Sequence, residues 1–387
     1  MDLASKMNKQ LDLLKPSSIL KFDADVSQIP DIIKLTLGEP DFNTPEHVKT
    51  AGEESIANNQ SHYTASAGKI ELRKAAANFL SSKYSANFDP ETQIVTTVGA
   101  TGAIYSSITA VINPGDEVLI PIPIFPLYIP IAILNGAKPV FIDTSKDGFQ
   151  LTSEKLTKAF EEHPNAKALI MNYPTNPTGV TYTRSELEAL VAIIKQHEIF
   201  VISDEIYSEL TYGDKHVSLG ELLPEQTLLI TGVSKSHAMT GWRIGFVAGP
   251  APVIQKIGMV NQFTVTSATT NAQDAAIEAL KNGMDDGLEM KKEYQKRRDF
   301  LKAGLEKAGF PVISPDGAFY IFAKIPAQFD QDSFAFGMQL AKEAKVAVIP
   351  GAAFPAGEGY LRLSYAASME NLEEAVKRIQ HFVDSHK

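Results

Sequence analysis

One lysine stands eight residues before an arginine (235 to 243) in Ser234-Lys235-Ser236-His237-Ala238-Met239-Thr240-Gly241-Trp242-Arg243-Ile244-Gly245-Phe246, a segment flanked by apolar runs. A lysine amine attacks an aldehyde once burial or neighbouring cations disfavour its charged form, and the resulting Schiff base ties that aldehyde to the protein. An arginine so close can grip a phosphate through two parallel hydrogen bonds. The pair suits a ligand that carries both groups, although a surface lysine beside a structural arginine would leave the same string.

Other residues add to this chemistry. Val201-Ile202-Ser203-Asp204-Glu205-Ile206-Tyr207 puts Asp204 directly after an apolar run, where a carboxylate is costly to bury without a cationic partner. A protonated pyridine nitrogen is such a partner. A metal ion is another, yet none of the eight histidines stands at metal-ligand spacing with Asp204, so no metal is expected. Tyr207, three residues on, can offer a hydroxyl to the same ligand. Asn176 lies in Asn172-Tyr173-Pro174-Thr175-Asn176-Pro177-Thr178-Gly179, where the prolines and glycine make a rigid turn that fixes its direction. Its amide can donate to a phenolate oxygen or bond its own backbone. Gly99-Ala100-Thr101-Gly102 follows a predicted strand and opens a predicted helix, so backbone amides and the Thr101 hydroxyl can cradle a phosphate. It lacks the full dinucleotide fingerprint.

Positioning these side chains requires a sheet. From about residue 90 to 250, short β-branched runs alternate with amphipathic stretches of helix length, the pattern of a mostly parallel sheet covered by helices. Seven strands are predicted: Gln93–Val98, Glu117–Pro121, Lys138–Ile142, Lys167–Asn172, Ile199–Ser203, Thr227–Thr231 and Ile244–Ala248. Thr183 caps a helix that runs to His197, with Glu186 three residues later. Ligands in such sheets gather at the carboxyl ends of the strands, where several of these polar residues fall. The apolar run Val118 to Leu134 is interrupted by Pro121, Pro123, Pro126 and Pro130, so it reads as a strand followed by a shaped loop and not as a membrane span. After about residue 280 the pattern becomes a long charged helix (Asp285 to Ala308), short strands at Ala318–Ala323, Val346–Ile349 and Leu361–Tyr365, and a last helix from Met369.

Bulk properties narrow the class. The chain has 387 residues, 44% hydrophobic and 21% charged, with a formal net charge of −10. That balance argues against nucleic-acid partners, which need clustered Lys and Arg. There is no cysteine, which excludes disulfides, thiolate catalysis and Cys-ligated metals. Residues 1–10 lack the apolar stretch and cleavage site of a signal peptide, so a cytoplasmic protein without membrane partners is expected.

The order and spacing of Asn176, Asp204, Tyr207, Lys235 and Arg243, with the Asn-Pro-Thr-Gly and Ser-Lys-Ser-His-Ala-Met-Thr-Gly-Trp-Arg-Ile-Gly strings, resemble the class I/II aminotransferases of pyridoxal phosphate fold type I. The likeness runs from Leu37-Gly38-Glu39-Pro40-Asp41-Phe42 to Arg362-Leu363-Ser364-Tyr365. It implies pyridoxal 5'-phosphate as cofactor, joined to Lys235, which then carries the substrate proton. Asp204 would hold the ring nitrogen, and Asn176 and Tyr207 the ring hydroxyl. Arg243, Ser234, Ala100 and Thr101 would hold the phosphate, with Tyr63 reaching the phosphate of a neighbouring subunit in a homodimer. Phe125 would stack on the ring, Arg362 with the backbone of Gly38 would bind the substrate carboxylate, and Asn176 would also contact the substrate. Gly232 stands where some branches carry a phosphate-binding serine. Phe125 replaces a tryptophan of many aspartate-active relatives, and Thr101 replaces a lysine that one bacterial branch uses for a distal carboxylate.

The expected fold is therefore α/β: a large three-layer domain with a mostly parallel seven-stranded sheet, plus a smaller α+β domain built from both chain ends. Residues 1–45 would form an arm and small-domain segment, 46–280 the large domain and 281–387 the small one. The expected reaction moves the amino group of an L-amino acid, aromatic or large and apolar, to a 2-oxo acid by a ping-pong mechanism. That preference follows the likeness of the lysine string to bacterial aromatic aminotransferases. The alternatives are an aminotransferase for N-acetyl-diaminopimelate or aspartate, a carbon–sulfur β-lyase on the same fold, and a cofactor-binding module without activity.

Overall fold

Strands such as Ala-Leu-Ile-Met-Asn at 168–172 have no polar face, and a strand of that kind is stable only when both faces are covered. The computed structural model, which describes residues 3–386, covers both. Its main sheet has seven strands: β1 (Ile94–Val98), β2 (Glu117–Ile122), β3 (Lys138–Asp143), β4 (Ala168–Asn172), β5 (Phe200–Asp204), β6 (Thr227–Gly232) and β7 (Ile244–Ala248). Their order is β1-β7-β6-β5-β4-β2-β3. β7 runs antiparallel to both of its neighbours, and every other pairing is parallel. All seven predicted strands are present, with no end shifted by more than one residue.

Alternate residues of one strand serve the two faces. Ile170 of β4 packs with Ile104, Ile108, Ile254 and Ile257, from helices Gly99–Val111 and Ala251–Val265. Its neighbours Leu169 and Met171 pack with Leu156, Phe160, Leu187 and Leu190, from helices Ser153–Glu162 and Arg184–Ile194. Each such side chain contributes roughly 1.5–3 kcal/mol on burial. The second of those helices starts as its sequence predicts. Thr183 Oγ1 accepts from the Glu186 N–H, and Glu186 returns the bond to the Thr183 backbone.

The proline-rich run departs from expectation. β2 ends at Ile122, and the chain then forms a short helix, Tyr128–Leu134, where a loop was predicted. Pro130 is tolerated because it falls in the first turn, whose N–H groups have no partner within the helix.

The chain ends meet in two smaller sheets. Ile33–Lys34 pairs in parallel with Val346–Ala347. Ile349–Pro350, Tyr360–Ser364 and Tyr320–Lys324 form an antiparallel sheet in that order. The single strand predicted at Val346–Ile349 is thus two short ones that serve different sheets. Helices Gly287–Lys307 and Met369–Ser385 pack against this region. Among the described residues no helix is long and apolar enough to cross a membrane.

β1, β5 and β6 point their carboxyl ends the same way. There the chain delivers Gly99 to the start of a helix, Asp204 as the last residue of β5, and Lys235 three residues after β6. The carboxyl edge of a parallel sheet leaves backbone groups and loops free to meet a ligand.

Candidate active site

A cavity of about 380 Å³ opens over these strand ends. A larger crevice of about 760 Å³ lies near Tyr84, Tyr182 and Tyr212, and it holds none of the residues expected to bind cofactor or substrate. Chemistry, rather than size, marks the site.

Lys235 sits in the short helix Val233–Ser236, and its Nζ donates to the Gly38 carbonyl at 2.5 Å. Loss of water around the ammonium pulls its pKa down to about 8. Arg243 and Arg362 push the same way, against the pull of Glu39 and Asp204. A lysine so placed becomes a neutral amine far below the usual range, which is what a nucleophile or base requires.

Asp204 is 4% exposed. Its Oδ2 accepts from the Tyr128 hydroxyl at 2.7 Å and its Oδ1 from the Ile206 N–H at 3.1 Å. Burial nevertheless raises its pKa to about 6, outweighing those hydrogen bonds. Among the described residues no cation forms an ion pair with it, so the site supplies an acid whose charge calls for a cationic ligand. A protonated ring nitrogen meets that demand.

Around this axis, the Tyr207 hydroxyl bonds that of Tyr320 at 2.9 Å. Burial holds Tyr207 well above the usual phenol range, so it remains a hydroxyl. Asn176 donates its backbone N–H to Asn172 Oδ1 at 3.1 Å and accepts at its own Oδ1 from Arg362 Nη1 at 3.0 Å. Arg362 also donates from Nη2 to the Thr36 carbonyl at 2.8 Å and lies 4.5 Å over the Tyr320 ring. Its Nε is buried without a partner. A buried guanidinium with an idle donor is suited to a carboxylate ligand.

Opposite them an anion site takes shape. Arg243 has a left-handed backbone (φ 57°) and donates from Nη1 to the Thr240 carbonyl at 3.0 Å. Gly99, with φ +67°, starts helix Gly99–Val111 beneath it, and a Cβ there would stand 2.4 Å from Arg243 Nη2. The helix N-terminus, Ala100, Thr101, Ser234 and Arg243 line one end of the cavity. Backbone N–H groups, a hydroxyl and a guanidinium together fit a phosphate.

Phe125 lines the cavity, its ring edge-on to Tyr128 at 6.4 Å. Eleven of the twelve residues predicted for the site therefore meet in one place. The exception is Tyr63, which is 86% exposed and lies on a separate surface crevice with His62, Lys69 and Asp274. Sequence reasoning missed Tyr128 and Tyr320. Tyr128 lay in a stretch read as loop, and Tyr320 sits in a strand with no motif of its own. The positions of Asn172 and Glu39 inside already quoted strings were the only signal for them, and Thr36 lay just outside one.

Residues 30–379 match the family described as aminotransferase class I and II. The chain belongs to that family. As an aminotransferase it adopts fold type I and uses pyridoxal 5'-phosphate. It is 45% identical over 97% of its length to a probable N-acetyl-LL-diaminopimelate aminotransferase of Bacillus subtilis (strain 168), covering 95% of that protein. It is 38% identical to aromatic-amino-acid aminotransferase 2 of Thermococcus litoralis, over 98% of this chain and 99% of the relative. Among solved structures, the aspartate aminotransferase of Thermus thermophilus with maleate superposes with a TM-score of 0.92 at 37% identity, covering 97% of this chain and 99% of the other. The donors gathered around Lys235, Asp204 and Arg243 fit an aldehyde, a ring nitrogen and a phosphate, the three groups by which this cofactor is recognised.

Proposed function

We propose that this aminotransferase takes the amino group from an L-amino acid with an aromatic or large apolar side chain. The observation that carries the reading is the cavity lining. Among the described residues its only cations are Lys235, Arg243 and Arg362, each with a ligand group to serve, and the remaining wall includes Ile19, Leu20, Leu37, Ile104, Phe125 and Leu127. Thr101 supplies no charge for a distal carboxylate, and an apolar wall gains from burying an apolar side chain.

The residues divide the work as follows. Bound pyridoxal phosphate supplies the electron sink on which amino-group transfer depends. Arg243, Ser234 and the amides of Ala100 and Thr101 hold the phosphate. Asp204, held in place by the Tyr128 hydroxyl and the Ile206 N–H, would face the ring nitrogen, and Asn176 with Tyr207 would face the ring hydroxyl. Arg362 clamps the substrate carboxylate with the help of the Gly38 backbone. Lys235 Nζ, neutral above about pH 8, takes a proton from the substrate carbon and returns it. Tyr63, exposed in one chain, would complete the phosphate site of a second subunit, which supports a homodimer. The pairing of Ile33–Lys34 with Val346–Ala347 supports a small domain made from both chain ends, with residues 46–280 as the large one.

A second reading, transfer from an N-acylated diaminopimelate, rests on the 45% identity to the Bacillus subtilis relative. A panel of amino acids added to the holoprotein, read as loss of the aldehyde form of the cofactor by absorbance, separates the two. Phenylalanine, tyrosine and leucine are expected to convert the cofactor at lower concentrations than aspartate or N-acetyl-diaminopimelate. The opposite order overturns the proposal.

A further inference from the structure

Two acids line the cavity without a part in the scheme above, Asp23 and Glu39. Glu39 is exposed and accepts from Thr240 Oγ1 at 2.9 Å. Asp23 is more firmly built. It lies on helix Ser18–Val26, which Phe22 and Val26 anchor among Phe322, Ile349 and Phe354. Its Oδ1 accepts from Thr36 Oγ1 at 2.5 Å, and its Oδ2 accepts from Lys34 Nζ at 2.8 Å. Lys34 is itself steadied by Ser27 Oγ at 3.0 Å. Two donors therefore fix a carboxylate that can accept about four hydrogen bonds, so two acceptor positions remain.

Thr36 links this acid to the other end of the substrate. Its carbonyl accepts from Arg362 at 2.8 Å while its hydroxyl holds Asp23. A single residue thus ties the guanidinium that suits an α-carboxylate to the Asp23 carboxylate. Leu37, Ile19, Leu20 and Phe125 line the same cavity. Leu20 is 72% exposed and Leu37 43% exposed, so both have apolar surface still to be covered by a ligand. An apolar wall that includes a fixed carboxylate suits an aromatic ring that carries a hydroxyl.

We propose that Asp23 is a specificity-determining residue that accepts a hydrogen bond from the phenolic hydroxyl of a hydroxyaryl amino acid and disfavours side chains that end in a carboxylate. This rests on the reading of the cavity as a site for large apolar side chains and narrows it. A hydroxyl that lost its water partners would be poorly served by an apolar wall alone, and a second carboxylate would meet a like charge.

The test compares tyrosine with phenylalanine and aspartate in the holoenzyme, and 3-(4-hydroxyphenyl)propanoate with 3-phenylpropanoate as unreactive ligands. In the wild type, kcat/KM for tyrosine is expected to exceed that for phenylalanine about tenfold, the scale of one hydrogen bond to a charged acceptor. The two propanoates should differ likewise in Kd. Asp23→Asn should lower the tyrosine value about tenfold more than the phenylalanine value, chiefly through KM, and should raise kcat/KM for aspartate. Lys34→Met breaks the same tie between helix and strand but keeps the carboxylate, so it should retain the tyrosine preference. An Asp23→Asn enzyme with the wild-type tyrosine-to-phenylalanine ratio overturns the assignment of Asp23. Equal loss of the preference in both variants also overturns it, by showing a merely structural role. A wild type that handles neither aromatic substrate better than alanine overturns the broader reading of the cavity, and this one with it.

Discussion

Replacing Asp204 with asparagine is expected to stabilise the cofactor-free protein at neutral pH. Burial raises the Asp204 carboxyl from 3.8 to about 6, so the folded chain holds this proton more tightly than the unfolded one. The sign follows from proton counting: where the native state binds more protons, stability falls as pH rises. The loss begins near the unfolded pKa and is complete once pH has passed the folded one. A shift of about two units corresponds to about 3 kcal/mol at pH 8, with about half already lost at pH 5. Asparagine keeps the shape, lets the Ile206 N–H still find an oxygen, and carries no charge to desolvate. Urea denaturation of both cofactor-free proteins, at one protein concentration from pH 5 to 8, should therefore show asparagine more stable, by a margin that widens by about 1.5 kcal/mol across the range. Adding pyridoxal phosphate should reverse the order, because only the carboxylate gains a cationic partner. Parallel stability curves from pH 5 to 8 would refute the view that Asp204 is an unpaired buried acid awaiting its ligand.

Other expectations follow from the same geometry. Tyr128→Phe removes the donor to Asp204 Oδ2 and should weaken cofactor binding by roughly tenfold, about 1.5 kcal/mol, in a fluorescence titration, with little further effect in an Asp204→Asn background. Gly99→Ala sets a Cβ 2.4 Å from Arg243 Nη2 at a φ of +67° and should raise the cofactor Kd by at least roughly tenfold, without loss of the seven-stranded sheet by circular dichroism. In the cofactor-free protein, amine-reactive labelling of Lys235, followed by peptide mass spectrometry, should rise through a midpoint near pH 8. An ordinary lysine midpoint above 10 would contradict the desolvated pocket. Arg362→Lys keeps a charge but loses the planar fork, so KM for the amino donor should rise by roughly tenfold or more while the cofactor Kd stays near the wild-type value.

The sequence made the sheet readable because its strands are short, apolar and bounded by turn residues, and β1 through β7 fall where that pattern puts them. The Thr183–Glu186 cap was readable for the same local reason. The short helix Tyr128–Leu134 was hidden by Pro130, since a proline says that a helix is not continuing without saying that one has just begun. Its loss also concealed Tyr128, whose role depends on reaching Asp204, 76 residues away. Val346–Ile349 looked like one strand because the division between its two halves is set by distant partners, Ile33–Lys34 on one side and Tyr360–Ser364 on the other. Local propensity carries no trace of those pairings. The gathering of Lys235, Asp204, Asn176 and Arg243 was foreseen from a family resemblance in their order and spacing. The electrostatic state of the first two, by contrast, emerges only from the walls around them.

The bond from Arg362 to the Thr36 carbonyl joins residues 326 apart in the chain. A polypeptide made from its N-terminus has every residue proposed to hold the cofactor in hand once Arg243 is complete, 119 residues before Arg362 (243 to 362). Domains tend to fold as they emerge, so the floor of the site has its full complement of side chains while the substrate clamp is still unmade. Thr36 and Asp23, translated before any of the residues proposed to hold the cofactor, wait for Arg362 and the residues around it to fix them. The site is thus assembled in the order of its chemistry: first the means of holding the cofactor, and only afterwards the means of choosing what reacts with it.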